Sequence, residues 1–290
     1  MQLKIRLISG LVSDNKKFLG LITRCKDEFF VEEFCNYYLK QGVDEINIID
    51  DNSSDKTIYT KLLGHKNINI FFEKNITKKN YFSNWMDKLS NNYEWVIYVD
   101  VDEFISTRKN LNHTIKDELE TTFKDAHCVK VPWVMMSCKL RETNPKSILN
   151  EITYRWNHDI RHPHKVKKFR CRYHSIETKC IFKPMYFDSV STLAGDDHHP
   201  HGHDGDADKI RDGVKNKKSE LNAFYENLRE SDIKNAHLIC YHYRIISVEQ
   251  CKRKLKTNTW YQHTNGGYTL NDLLSSDHPE IIDETMKHNF

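Results

Sequence analysis

No two cysteines in this chain are spaced as Cys-x-x-Cys, although eight are present, at positions 25, 35, 128, 138, 171, 180, 240 and 251. That excludes zinc ribbons and thioredoxin-like redox sites. Several of these thiols lie in apolar or helical-looking segments, where free buried cysteine in a reducing compartment is expected rather than a disulfide. Glycine (10) and proline (6) are scarce among 290 residues, which excludes collagen-like and low-complexity chains. Long apolar runs are missing too: stretches such as Phe18–Ile22 stop far short of the ~20 residues that a spanning helix needs. Lys4, Arg6 and Asp14 interrupt the N-terminal segment, so no secretory leader is expected and the protein is read as cytoplasmic. An excess of one charge is also lacking, since 44 Lys+Arg against 41 Asp+Glu leave only +3. A nucleic-acid partner is therefore not expected.

What the chain does carry is an alternation of two periodicities. Phe18–Thr23 reads as a buried strand, and Asp27–Lys40 as a helix closed by Gln41-Gly42, with Phe30, Phe34, Tyr37 and Tyr38 on its apolar stripe. Glu45–Ile49 predicts a second strand, after which Ser53 or Ser54 caps a helix expected to reach Leu63. Ile68–Phe72 is a third strand, Lys78–Leu89 a third helix, and Trp95–Val99 the strongest strand. Beyond about residue 125 the pattern weakens. His127–Met136 and Ala236–Tyr241 read as strands and Cys180–Phe182 as a short one. Lys209–Leu228 is expected to contain a polar helix, and Ser247 to about Lys256 a basic one.

Strands alternating with helices imply an α/β fold with a mostly parallel sheet covered on both faces. Ligands of such sheets lie beyond the carboxyl ends of the strands. Acidic residues gather at three of those ends: Asp27/Glu28, Asp50/Asp51/Asp55 and Asp100/Asp102. Two carboxylates one residue apart, as in Asp100-Val101-Asp102, can share a divalent cation directly and through water, and hard oxygen ligands suit Mn²⁺ or Mg²⁺. Such an ion also binds diphosphate oxygens and neutralises a departing nucleoside diphosphate. Asp51, after the second strand, is placed to accept hydrogen bonds from ribose or base, while Ser54 and Asp55 serve as simple helix caps. No G-x-G-x-x-G follows the first strand, which disfavours a dinucleotide enzyme.

Four segments in order carry a family resemblance: Thr23-Arg24-Cys25-Lys26-Asp27-Glu28, Tyr37-Tyr38-Leu39-Lys40-Gln41-Gly42-Val43-Asp44, Ile49-Asp50-Asp51-Asn52-Ser53-Ser54-Asp55 and Tyr98-Val99-Asp100-Val101-Asp102-Glu103-Phe104-Ile105. Lys179-Cys180-Ile181-Phe182-Lys183-Pro184 and His242-Tyr243-Arg244-Ile245-Ile246-Ser247-Val248-Glu249-Gln250-Cys251-Lys252 continue it. Together, over about residues 20–255, they resemble the glycosyltransferases of the family 2-like and family 92 group, which have the GT-A fold. The resemblance implies transfer of a sugar from a nucleotide donor, usually a UDP-sugar with Mn²⁺ (or Mg²⁺), to a glycan or other hydroxyl acceptor. It implies that Thr23, Arg24 and Asp51 contact the nucleoside, and that Asp102, with Asp100 through water, holds the metal together with His242. Lys179 and Lys183 become the phosphate candidates. One domain is expected, with a nucleotide-sugar half at about 18–125, an acceptor half at about 126–260 and a C-terminal extension at 261–290.

Other features are less directed. Asp197 is the candidate base for the acceptor hydroxyl, with Asp196, Glu151 and Asp159 as rivals. His198, His199, His201 and His203 crowd one short loop, which reads as an exposed loop, a contribution to the donor site or a zinc site. The basic run Arg161–Arg172 could bind phosphates or an acidic acceptor, or simply be solvated, and Trp133, Trp156 and Trp260 are sugar-stacking or core residues. A sugar nucleotidyltransferase, a metal-dependent phosphohydrolase and a non-catalytic carbohydrate-binding protein are the alternative readings.

Overall fold

The computed structural model describes residues 16–72, 85–160, 175–190, 199–263 and 266–288. Its centre is built from the β-branched runs of the first half. Strands β1 (Lys17–Cys25), β2 (Glu45–Asp50), β3 (Ile68–Phe72) and β4 (Tyr93–Tyr98) lie parallel in the order β4-β1-β2-β3. Leu19, Leu21, Ile46, Ile48, Trp95 and Ile97 are fully buried in this region. Burial of both sheet faces is why these strands read as continuous apolar runs rather than alternating ones.

The remaining strands are β5 (Glu103–Thr107), β6 (Cys128–Ser137), β7 (Tyr154–Arg155), β8 (Ser175–Phe182), β9 (Ser189–Val190), β10 (Pro200–His201), β11 (Ile210–Asp212), β12 (Phe224–Glu226), β13 (Leu238–His242) and β14 (Ile281–Ile282). The long sheet runs β14-β7-β6-β8-β4-β1-β2-β3, with β13 joined to β6 and β5 to β13. Strand β8 is antiparallel to both β4 and β6, so β6, and β13 parallel to it, run in the direction of β1–β4. The carboxyl ends of β1, β2, β4 and β13 therefore open on one rim, which brings His242 to the side that carries Asp51 and Asp100.

The helices that flank this sheet include α1 (Val31–Lys40), α2 (Met86–Asn92), α3 (Ile115–Glu120), α4 (Ile148–Glu151), α5 (Glu230–Lys234) and α6 (Val248–Thr257). Helix α1 buries Phe34, Tyr37 and Tyr38, and Phe34 and Tyr37 pack edge-on against Phe104 of β5. Its two tyrosine hydroxyls also serve the free side of β5. Tyr38 Oη donates to the Glu103 carbonyl at 2.9 Å and accepts from the Ile105 amide at 3.0 Å, while Tyr37 Oη donates to the Ile105 carbonyl at 2.7 Å. A strand paired on one side only leaves amides and carbonyls unserved, and here side chains take the place of a neighbouring strand.

The structure differs from the sequence reading in five places. The helix expected from Ser54 to Leu63 is a single 3₁₀ turn, Lys56–Tyr59, capped by Asp55, whose carboxylate accepts from the Thr57 amide at 2.8 Å. In place of a polar helix, residues 209–228 contain β11 and β12, which pair with β6 and β8. Strand β5 is not foreseen by the sequence pattern, and β8 extends well ahead of Cys180. Of the helix expected over Lys78–Leu89, residues 78–84 lie outside the described part, and α2 runs on to Asn92. The seven described cysteines are all buried and unpaired, as anticipated. Among the described residues no helix is long and apolar enough to cross a membrane.

The segment after residue 266 is woven into the sheet rather than appended to it. Strand β14 pairs with β7, and Asp277 accepts from the Cys138 and Leu140 amides at 3.0 and 2.7 Å. Buried Asp283 sits between Arg108 and Arg155, each at 2.7 Å. Burial alone would raise its carboxyl, but Arg108, Thr285 and Arg155 outweigh that and hold it at about 2, below the ordinary 3.8. A depressed folded-state value means stability that is present above the unfolded value and is lost as the pH falls. We expect the Asp283 contribution, about 2 kcal/mol, to disappear between about pH 4 and pH 2. Urea unfolding across that window should show a steeper acid loss in the wild type than in Asp283→Asn, and parallel curves would rule the assignment out.

Candidate active site

The rim is assembled from four elements. Strand β1 supplies Arg24 and is followed by Glu28; β2 is followed by Asp51; the turn between β4 and β5 carries Asp100 and Asp102; and β13 ends on His242. Arg24 and Asp51 form an ion pair across the ends of β1 and β2, and the Asp51 amide donates to the Cys25 carbonyl at 2.8 Å. Asp27 and Asn52 both adopt positive φ (54° and 53°), so the two loops turn sharply away from their strands. Asp50 points inward, tied to Lys56 and, at 2.8 Å, to the Tyr59 hydroxyl. It is a structural residue, which leaves Asp51 as the rim residue of the pair. Thr23 is fully buried in β1 and presents no surface to a nucleoside, contrary to the sequence expectation.

The turn at Asp100-Val101-Asp102 is closed by its own neighbour. The Glu103 amide donates to the Asp100 carbonyl at 3.1 Å, and the Asp100 amide donates to the Glu103 carboxyl at 2.7 Å. Opposite, β13 pairs with β5 in a register that sets His242 against Glu103, and the Tyr243 amide donates to the Asp102 carbonyl at 2.8 Å. The turn is thus clamped on both sides, and its side chains are aimed by the sheet.

Each aspartate meets a lysine. Lys179 of β8, its side chain only 1% exposed, donates to Asp100 Oδ2 at 2.8 Å and lies 3.1 Å from Glu103 Oε2. Lys254 of α6, 7% exposed, donates to Asp102 Oδ2 at 2.7 Å and to the Arg244 carbonyl at 3.3 Å. Burial works against both ammonium charges, but the surrounding carboxylates outweigh it and hold both lysines above their ordinary value. Glu103 is pushed upward, chiefly by burial, with Asp100 and Asp102 adding to it against Lys179. Glu28 is also raised by burial, and it accepts from Gln250 at 2.9 Å and from Arg253 at 3.1 Å. Through these residues α6, capped by the Ser247 hydroxyl on the Gln250 amide, is fastened across the rim. Nothing in the sequence pattern singles out Lys254 or Arg253, while Glu103, Gln250 and Glu28 lie within the segments that carry the resemblance but are given no role there.

His242 lies against Trp133, with ring centroids 4.2 Å apart. Burial, then Arg244 and Lys254, hold its pKa well below the usual value, so it is a neutral imidazole with a lone pair to offer. Its Nε2 is 3.7 Å from Asp102 Oδ1, beyond hydrogen-bonding reach. A carboxylate oxygen and a neutral imidazole nitrogen facing one another would both be available as donors to a divalent ion. Among the described residues no group of three or more His, Cys, Asp or Glu side chains could hold a metal alone. The donor set nevertheless fits Mn²⁺ or Mg²⁺, which commonly take one or two protein ligands and complete their shell with phosphate oxygens and water.

Other sequence candidates fall elsewhere. Lys183 lies at the opposite end of β4 from Asp100, because β8 is antiparallel to it; the side chain crosses the Trp95 ring and donates to the Lys124 carbonyl at 2.8 Å. It does not share the rim with Lys179. His203 packs beside His127 at the start of β6, Nε2 to Nδ1 3.2 Å, again away from the carboxyl ends. Glu151 pairs with Arg141 at 2.7 Å and accepts from the Lys146 and Ser147 amides, and Asp159 accepts from the Glu230 amide at 3.3 Å. Asp196, Asp197, His198 and the run Arg161–Arg172 lie outside the described residues, as does the side chain of Trp260.

No family model matches the chain, and no curated protein does. Among solved structures it is similar to S. aureus TarS residues 1–349 in complex with UDP, with 15% identity over 59% of this chain and 48% of that one and a TM-score of 0.34. The same fragment determined as "Crystal structure of S. aureus TarS 1-349" aligns over 94% of this chain and 72% of that one, at 13% identity and a TM-score of 0.35. A 4-diphosphocytidyl-2C-methyl-D-erythritol synthase from Anaerococcus prevotii aligns over 76% of this chain and 97% of that one, at 12% identity and a TM-score of 0.36. In the first of these comparisons the match spans about half of the TarS chain. What stands independently of these distant likenesses is the architecture itself, a mixed α/β fold with a large, mostly parallel central sheet and acidic side chains along the carboxyl rim.

Proposed function

We propose that this chain is a single-domain glycosyltransferase of GT-A type that moves a sugar from a nucleotide donor, a UDP-sugar, to a hydroxyl acceptor with inversion at the sugar carbon. The observation that carries the reading is the gathering of the Arg24–Asp51 pair, Asp100, Asp102 and His242 on one rim of the sheet. In this reading Asp51 and Arg24 take the nucleoside, as a strand-end carboxylate accepts ribose or base hydrogen bonds. Asp100, about half exposed, lies beside the donor phosphates, with Lys179 behind it as a fixed positive charge. Asp102 Oδ1 and His242 Nε2 would hold Mn²⁺ or Mg²⁺. When bound, the ion supplies Lewis-acid neutralisation of the departing diphosphate. The proton of the acceptor hydroxyl goes to Asp197, a role that rests on its sequence position.

The test is thermal. UDP is expected to raise the melting temperature in the presence of Mn²⁺, by the mass-action stabilisation that any native-state ligand gives, about 2.7 kcal/mol at a hundredfold excess over Kd. ADP and GDP serve as controls. If no nucleoside diphosphate moves the transition with or without metal, the transferase reading is lost.

A further inference from the structure

In the proposed donor site Lys179 backs Asp100 as a fixed charge, and Lys254 has no task in binding. They arrive from different elements, Lys179 from β8 and Lys254 from α6, and each ends on a different aspartate of the same turn. Lys254 takes Oδ2 of Asp102, while Oδ1 faces His242. A divalent cation seated at Oδ1 therefore shares its carboxylate with an ammonium group. Two positive charges on one carboxylate would repel one another, and in a partly buried site that repulsion is worth at least about tenfold in affinity. The Asp102 side chain is only 14% exposed and Lys254 is fastened by the Arg244 carbonyl, so neither partner can swing far out of the way.

We infer that Lys254, together with Lys179, sets the order in which the site fills: by neutralising the aspartates in advance, it keeps a divalent cation out until a diphosphate brings further negative charge. The inference rests on the proposed donor site. There Lys254 is a positioning residue acting through Asp102, and the diphosphate and the ion strengthen one another's binding. That coupling is reciprocal by thermodynamic necessity.

The experiment is a Mn²⁺ titration followed by the spin-resonance signal of the free ion, on the full chain, with and without saturating UDP. Wild type should bind Mn²⁺ at least about 30-fold more tightly with UDP present. In Lys254→Met, Mn²⁺ affinity without UDP should rise by about tenfold and the coupling should shrink, whereas Lys254→Arg keeps the wild-type pattern. General damage to the site lowers affinity, so a gain cannot come from misfolding. Equal Mn²⁺ affinity with and without UDP in the wild type overturns the inference, as does an unchanged or weakened affinity in Lys254→Met. Should Lys254→Met not fold, the wild-type coupling and Lys179→Met decide by the same criteria. UDP that binds under no condition overturns the donor site itself, whereas tight binding of Mn²⁺ alone beside intact UDP binding overturns only the order of filling.

Discussion

Replacing Asp102 by Asn is expected to cut release of UDP from the donor by about a hundred- to a thousandfold, the scale on which loss of one preorganised electrostatic contact acts, while the chain stays folded. Asp102 has two jobs. Its Oδ2 accepts from Lys254 at 2.7 Å, and its Oδ1 faces His242. An amide preserves the shape and leaves an oxygen for the lysine, but removes the charge that draws a cation. Asp102→Ala is the poorer experiment, because it strands a buried ammonium, and uncompensated buried charges cost about 3–5 kcal/mol. Loss of activity in Ala would mix damage to the fold with damage to the site. Diphosphate release measured alongside urea unfolding separates the two, and Asn turnover within tenfold of the wild type would remove Asp102 from the site.

The second large effect concerns stability. Arg155→Ala should lower the unfolding free energy by about 3–5 kcal/mol, read as a shift in urea midpoint at unchanged slope. The guanidinium is 4% exposed and spends every face: two nitrogens on the Glu230 carboxylate at 2.7 and 2.8 Å, Nε on Asp283 at 2.7 Å, and one bond to the Trp156 carbonyl at 2.9 Å. Truncation leaves Glu230 without its main partner and takes one of two arginines from the almost fully enclosed Asp283. By contrast the Lys17–Glu45 pair, whose lysine is 45% exposed, should be worth well under about 1 kcal/mol. A cost below about 1 kcal/mol for Arg155→Ala would mean that Arg108 alone holds Asp283.

Much of the β4-β1-β2-β3 sheet is readable from the chain because its strands are buried on both faces. Trp95–Val99 announces β4 by composition, and a carboxylate beyond its end follows from the direction of the sheet. The failures have equally local causes. Lys209–Leu228 has the polarity of a surface helix, yet Gly213 packs so tightly that an added Cβ would meet the Leu238 carbonyl at 2.9 Å, and Asn216 and Asn227 adopt positive φ. Those are features of tight turns and paired edges, and composition does not report them. Lys254 was hidden by its neighbours. Among Lys252, Arg253, Lys254 and Lys256 it looks like one more solvated charge, although its spacing of three from Cys251 and four from Gln250 puts it on the buried stripe of α6. Lys183 misled in the opposite way, because four residues along an antiparallel strand carried it from the rim to the far end of the sheet.

The pairing of Arg155 with Asp283 spans 128 positions of sequence. At ribosomal speeds of about 5–20 residues per second, the guanidinium leaves the exit tunnel on the order of ten seconds before its carboxylate is made. During that interval β7 has neither β14 nor Asp283, and the enclosure that depends on them is still open. The nascent chain therefore carries a half-built β7 edge until the segment around Asp283 has been translated. Until then the guanidinium has Glu230 as its only carboxylate partner among those described, and the seam between β7 and β14 is the last part of this enclosure to close.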